Sequence, residues 1–320
     1  METNKEARQR TSLSDLTSLT PEHLYSDPKQ YHMDLMDFGH SRVMPSVPGT
    51  KENWLQDLDR NHAFGQLEIE YIESERKKVS KLASQAPTEA QAFVSWFEDL
   101  RQCGAGQNDA LFPWLAEQAT VEEMRWFIKQ EVAGEAGFED LVALTQLRMP
   151  VTAKLEMARN YWDEMGRGAE QGMHGPMLER SVVELDLEHT PAQELIWESM
   201  ALANLMVGLA SNRRYAYHSV GALGAVELTA PTRTAYVAEG LKRLNVSKQG
   251  FIYFSLHSTV DIKHSLDWNN EVISSLVKQD PGLAPFIAEG ALMRLKAGAR
   301  CFECYRQYFG LTAAAQAQSS

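Results

Sequence analysis

The chain has 320 residues, 44% of them hydrophobic, enough to bury the core of one large helical domain or two small ones. Its 43 acidic and 31 basic residues leave a formal net charge of -12, which argues against a nucleic-acid-binding face and, more weakly, against anionic membranes. Three cysteines (Cys103, Cys301 and Cys304) are too few for a disulfide framework, and no window approaches the ~18 uninterrupted apolar residues of a membrane span.

Residues 1 to about 50 are polar and turn-rich, with Pro21, Pro28, Pro45 and Pro48, and with no hydrophobic region behind the polar start no signal peptide is expected. They are expected to form an N-terminal arm with short helices over 1–60, followed by a single helical domain over 61–310. Leu67, Ile69, Tyr71 and Ile72 begin the first strongly periodic segment, and Phe93, Val94, Trp96, Phe97 and Leu100 mark another. Val121 to about Leu147 reads as one long helix, with Thr120 as N-cap, Glu122 and Glu123 in the first turn, and Pro150 ending it. Thr152 to Met165 stops at Gly166-Arg-Gly168. Pro191 is expected to open an apolar helix through Leu209, followed by Arg214–Leu228, Pro231–Leu244, Lys248–Leu276 and Ala284–Phe309. Cys301 and Cys304 form a CxxC inside that last helix, where core or helix-face thiols are expected rather than a redox motif. The Ala/Gln/Ser-rich tail over 311–320 reads as frayed. With no strand alternation and no fixed repeat, the fold class is all-α, a helical bundle.

Within this pattern, His257, Asp261 and His264 fall at i, i+4 and i+7 and share one stripe of a helix. The flanks, Phe251-Ile-Tyr-Phe-Ser-Leu and Trp268-Asn-Asn-Glu-Val-Ile, place that stripe at core depth, where polar groups are costly without a partner. A metal ion is the simplest single partner for all three. Further donors come from other helices. Glu227 sits alone among Ala, Gly, Val and Leu, a poor place for a solvated carboxylate. Glu131 follows an apolar run, with Glu135 one turn on as the alternative. Glu164 competes with Asp163, and His174 opens His174-Gly-Pro-Met-Leu. Three histidines and four carboxylates exceed the needs of a mononuclear facial triad and suit two iron or manganese ions. Each also has a plainer reading: a salt-bridged Asp261, a solvated acidic face around Glu131, a helix-start His174.

The spacing Glu164-x9-His174, then Glu227-x29-His257-x3-Asp261-x2-His264, resembles the heme-oxygenase-like diiron oxidases and oxygenases. The phrases Asn160-Tyr-Trp-Asp-Glu-Met-Gly-Arg-Gly and His174-Gly-Pro-Met-Leu are similar to family members described as iron-containing redox enzymes. The resemblance covers about 120 to 310 and leaves the first hundred residues out. It implies a heme-oxygenase-like bundle with additional N-terminal helices, binding two Fe(II) ions and no heme, with O2 as co-substrate. Carried over, one iron would take His174, Glu227 and His257, and the other Glu131, Glu164 and His264, with Asp261 on or between them.

The resemblance implies an oxidoreductase acting on a small molecule. An amine- or amino-acid-like metabolite in a biosynthetic pathway is preferred. A fatty-acid decarboxylase or desaturase of the same fold, and a thiaminase-like or cofactorless member, are the alternatives. Arg213 and Arg214 precede the Glu227 helix and can clamp a substrate carboxylate, or simply cap the preceding helix; His218 is expected in a pocket or core. No nucleic-acid or membrane partner is expected. A cytoplasmic protein, with homodimerisation open, is the simplest setting.

Overall fold

The computed structural model describes residues 27–45, 54–135, 137–188 and 190–311. Among them there is no strand, only an isolated bridge between Met165 and Met173. Expectations for the extreme N-terminal segment, including Pro21, and for the tail from 312 onward lie outside the described residues.

Helices α1 (Pro28–Val43), α2 (Trp54–Lys77), α3 (Ser80–Ala83) and α4 (Ala90–Cys103) form the N-terminal part. The α1 helix is capped by Asp27, whose side chain accepts from the backbone N–H of Lys29 at 3.0 Å. It buries Tyr31, Leu35 and Phe38, so the segment after Pro28 joins the core. The α2 helix starts well ahead of Leu67 and runs through position 60.

Then follow α5 (Leu111–Glu117), α6 (Val121–Glu135), α7 (Phe138–Thr145), α8 (Val151–Glu164), α9 (His174–Glu184), α10 (Trp197–Ser211), α11 (Ala216–Arg243), α12 (Lys248–Asp267), α13 (Ser274–Gln279) and α14 (Ala284–Tyr308). Thr120 and Glu123 make the reciprocal bonds of a capping box at the start of α6. The α10 helix is apolar on nearly every face and lies buried, the expected fate of such a helix. It packs on α1, α6 and α14, while α11 packs on α12 and α14. At the α11–α14 crossing, a Cβ on Gly221 or Gly290 would sit 1.8 Å from a carbonyl oxygen of the other helix. Only glycine allows the two backbones to come that close.

Three expected boundaries differ. The long helix over 121–147 is two, because Gly137 adopts φ 73° and turns the chain between α6 and α7. Pro191 opens only a 3₁₀ turn (Ala192–Glu194), and α10 begins at Trp197. Pro231 does not end a helix: α11 runs through it. Thr229 and Thr234, on either side of it, donate their hydroxyls back to their own helix, at 2.8 Å to Ala225 O and 2.9 Å to Ala230 O. After α12 the helix widens into a π turn over Trp268–Ile273, a feature often found near functional sites. No described helix is long and apolar enough to cross a membrane.

Candidate metal centre

Glu164 is the last residue of α8 and His174 the first of α9. Between them the chain folds back on itself. Gly166, Arg167 and Gly168 all have positive φ, and the Met165–Met173 bridge closes the loop. A Cβ on Gly166 would lie 2.3 Å from the carbonyl carbon of Gly172, so the pinch excludes any side chain there. The bridge sets the flanking Glu164 and His174 side by side, with Oε2 and Nδ1 2.6 Å apart.

The α11 helix brings Glu227 to the same place, and α12 brings His257, Asp261 and His264 on one face. All six side chains are buried, Glu227 being 1% exposed. Two sets of donor atoms converge within 4.8 Å: Glu164, His174 and His257, and Glu164, Glu227 and His264. Glu164 belongs to both. The division implied by the resemblance put Glu227 with His174 and His257, and Glu131 and Glu164 with His264; here Glu164 stands in both sets and Glu227 stands with His264. Asp261 joins the second set from its edge, with Oδ1 3.8 Å from His264 Nδ1.

Surrounding groups orient these donors. Tyr253 O accepts from His257 Nδ1 at 2.8 Å, which leaves His257 Nε2 without its proton and free to bind a cation. Asn160 Nδ2 donates to Glu227 Oε1 at 2.6 Å. Asp163 takes the outer role: its Oδ2 lies 3.3 Å from His264 Nε2, which directs Nδ1 towards the carboxylates. Between the two adjacent acids, therefore, Glu164 points inward and Asp163 supports from outside.

The cluster is electrostatically incomplete. His264 Nδ1 and Asp261 Oδ1 are buried without a hydrogen-bond partner, and His174 Nδ1 has only its close contact with Glu164 Oε2, which lacks hydrogen-bond geometry. No lysine or arginine forms an ion pair with Glu164, Glu227 or Asp261 among the described residues. Burial pushes the Glu164 carboxyl up to about 8, reinforced by Glu227, and raises Asp261 well above the usual carboxylate range. Burial lowers His174 to about 4, helped by His264. His264 is the exception: burial opposes its charging, but Glu227 and Glu164 outweigh burial and raise it to about 9. Carboxylates and imidazoles this close, with orphaned donor atoms, have the composition of a site for intermediate divalent cations such as iron.

Glu131 is not brought into either set. It is half-buried on α6 and accepts a hydrogen bond from Tyr305 at 3.0 Å. Glu135, one turn on, lines a cavity of about 560 Å³ together with Glu164 and His174. Burial and the nearby Glu131 push its carboxyl up to about 7. Glu139 lines the same wall and was not singled out from sequence; a Cβ on Gly175 would sit 2.5 Å from its Oε1, so the glycine after His174 makes room for it. Tyr253, part of the core, also lines this cavity.

Arg213, Arg214 and His218 sit elsewhere. Arg213 donates to the carbonyls of Leu144, Thr145 and Leu147 and so caps the end of α7. Arg214 Nε is 3.8 Å from Glu73. His218 Nε2 bonds Glu289 at 2.9 Å, and Arg76 bonds the same carboxylate. None of the three lines the cavity: Arg213 and Arg214 make structural contacts in place of the expected clamp on a substrate carboxylate, and His218 lies in the core, one of its two expected settings. Cys301 and Cys304 are free thiols on α14, Cys301 buried.

A family model described as iron-containing redox enzyme matches residues 125–299, more than half of the chain and the whole of both donor sets. A search of curated proteins finds no match.

Proposed function

Because the chain belongs to the iron-containing redox enzyme family, we propose that it is a non-heme, two-iron oxidase or oxygenase acting on a small cationic amine. The observation that carries the proposal is the joining of an unbalanced donor cluster to an acid-lined cavity. Glu164, His174 and His257 would hold one ion and Glu164, Glu227 and His264 the other, with Asp261 beside the second. When bound, two ferrous ions supply the electrons that activate O2 for oxidation of a substrate. The protein contributes ligand orientation through Tyr253, Asn160 and Asp163, and a site withdrawn from water.

The cavity supports the substrate class. Five carboxylates (Glu135, Glu139, Glu164, Glu179 and Glu188) line it, with no lysine or arginine. Glu179 and Glu188 lie exposed at its rim, where they draw in a cation. Glu135 and Glu139 lie deeper and can hold an ammonium or guanidinium group by charge-assisted hydrogen bonds. A fatty acid would bring its own carboxylate into this field at a cost, which favours the amine over the fatty-acid alternative.

The test is O2 uptake by iron-loaded protein, with alkylamines and fatty acids of equal length offered in parallel. Uptake should require iron, rise with the amine, and vanish in Glu164→Ala and His257→Ala. Stimulation by the fatty acid alone, or uptake that survives both substitutions, would contradict the proposal.

A further inference from the structure

A line of oxidisable side chains leads from the donor cluster to the surface. Tyr253 on α12 packs its ring 4.2 Å from that of His257, centroid to centroid, and its carbonyl accepts from His257 Nδ1. Tyr253 also lines a small recess whose walls carry a matched set of charges, Glu131 and Glu135 with Arg233 and Arg294. Glu131 accepts the Tyr305 hydroxyl at 3.0 Å, and Phe127, another wall of the recess, meets the Tyr305 ring edge-on at 5.6 Å. Beyond Tyr305 the rings continue in contact. Trp126 meets Tyr305 edge-on at 5.6 Å and stacks on Tyr308 at 3.8 Å, with 5° between the planes. Tyr308 is 60% exposed. Four oxidisable rings therefore run from His257 to solvent, with the recess lying between the first two.

Packing alone does not ask for these residue types. Phenylalanine would fill the place of Tyr305, which is 1% exposed, whereas the hydroxyl needs the two partners it has: it donates to Glu131 Oε1, and Ser199 Oγ donates to it at 3.0 Å. A phenol that loses an electron becomes a strong acid, so oxidation of a buried tyrosine requires a base within reach, and Glu131 stands in that position. The indole of Trp126 can lose an electron and keep its proton. Electron transfer slows steeply with distance, so short hops between such rings outpace one long step through the bundle.

We propose that Tyr253, Tyr305, Trp126 and Tyr308 form a relay that carries an oxidising equivalent from the metal centre to the surface when O2 reacts there without substrate. This rests on the O2-activating reading above. The oxidant is the metal pair after its reaction with O2. It takes one electron from Tyr253, whose hydroxyl proton passes to Glu135 on the shared wall. Tyr305 replaces that electron and passes its own proton to Glu131. Trp126 reduces Tyr305, and Tyr308 reduces Trp126 and releases its proton to solvent. Each inner phenol takes back the proton it gave. A thiol in solution returns a hydrogen atom to Tyr308 and becomes a thiyl radical. In sum, one electron has moved inward from the thiol and one proton has been left in water.

The experiment has two arms, both on the full chain. In the first, iron-loaded protein is mixed with O2 and no amine, frozen at intervals for electron paramagnetic resonance, and digested to map oxidised residues. The wild type should show a tyrosyl or indolyl radical and stable oxidation at Trp126 and Tyr308. Trp126→Phe should abolish oxidation of Tyr308 and move it inward to Tyr253 and His257, with bound iron and melting temperature unchanged. Trp126→Tyr, which restores an oxidisable ring, should return oxidation to Tyr308. A purely structural role for Trp126 predicts one map for all three proteins. In the second arm, metal-free protein is pulsed with azide radicals, which oxidise indole before phenol. Decay of the indolyl signal into a tyrosyl one should be smaller in the Tyr305→Phe/Tyr308→Phe double variant than in the wild type. The same oxidation map in wild type and Trp126→Phe, or an unchanged decay in the double variant, would overturn the relay. Protein that holds no iron in the first arm but shows the expected loss in the second contradicts the two-iron reading and leaves the line of rings standing.

Discussion

Among the described residues histidine is buried against carboxylate in two places, and the two differ in whether they complete themselves. Around His218, Glu289 receives His218 at 2.9 Å and Arg76 at 2.9 Å, and Arg76 also pairs with Glu73, which accepts the Tyr215 hydroxyl. Positive and negative groups are matched there, and burial of Glu289 is outweighed by His218 and Arg76, which hold its carboxyl below the usual range. Around Glu164 the opposite holds. Four acidic side chains meet three imidazoles with no lysine or arginine paired to the inner carboxylates, and donor atoms are left over. A buried polar cluster that balances its own charge stabilises a fold. One that does not is stable only in company with something the chain lacks, and that difference, rather than the presence of histidine, marks the proposed metal site.

Substitutions in the two clusters should therefore act with opposite sign. The largest effect is expected at Glu164, which serves both donor sets. Glu164→Ala should weaken ferrous binding more than about 100-fold. It should also raise, or leave unchanged, the melting temperature of chelator-treated protein, since one of several crowded carboxylates is gone. Iron analysis and thermal melts read the two together; a melt lowered in the metal-free state would place this cluster in the same class as the one around His218.

Gly166→Ala comes next. Its Cβ would overlap the Gly172 backbone and open the Met165–Met173 bridge. A loss of about 2–3 kcal/mol is expected by denaturant titration, with reduced iron loading because Glu164 and His174 separate. Retained stability would mean that the pinch is not what joins them.

Glu289→Gln should lower stability by about 2 kcal/mol near neutral pH without changing iron content. Its sign with pH follows from the lowered carboxyl. The stabilisation is full above the unfolded value of about 4.3 and is lost as pH falls through the lower folded value. Wild-type and variant melting curves should therefore converge in acid, and a gap that widens there would contradict the pairing.

The smallest effect concerns the thiols. Burial pushes Cys301 up to about 12 and Cys304 up to about 11, whereas Cys103 is exposed. At pH 8 an alkylating reagent should modify Cys103 alone within minutes, as mass mapping would show.

Much of the proposed centre was legible because its signals are local. His257, Asp261 and His264 announce one helix stripe by spacing alone, and Glu227 is conspicuous among small apolar neighbours. The all-α class followed from the same periodicity. What stayed hidden depends on tertiary partners. Glu131 and Glu135 lie one turn apart on the same face, and only the packing of α6 against Tyr305 separates them. Asp163 and Glu164 end a helix about 100° apart around its axis, and only the packing of that helix on its neighbours decides which acid turns inward. Arg213 and His218 sit near Glu227 in sequence, yet their partners, the α7 carbonyls and Glu289, lie far along the chain. Pro231 misled the reading of boundaries because the packing of α11 against α12 and α14, a tertiary effect, carries the helix through it.

The most direct measurement is an anaerobic ferrous titration of the full chain, with bound iron counted after gel filtration. Two ions per chain are predicted for the wild type, and a clear loss in His257→Ala and Glu227→Ala with folding intact. A plateau near zero, or equal binding in all three proteins, would contradict the claim that these carboxylates and imidazoles are gathered to hold iron.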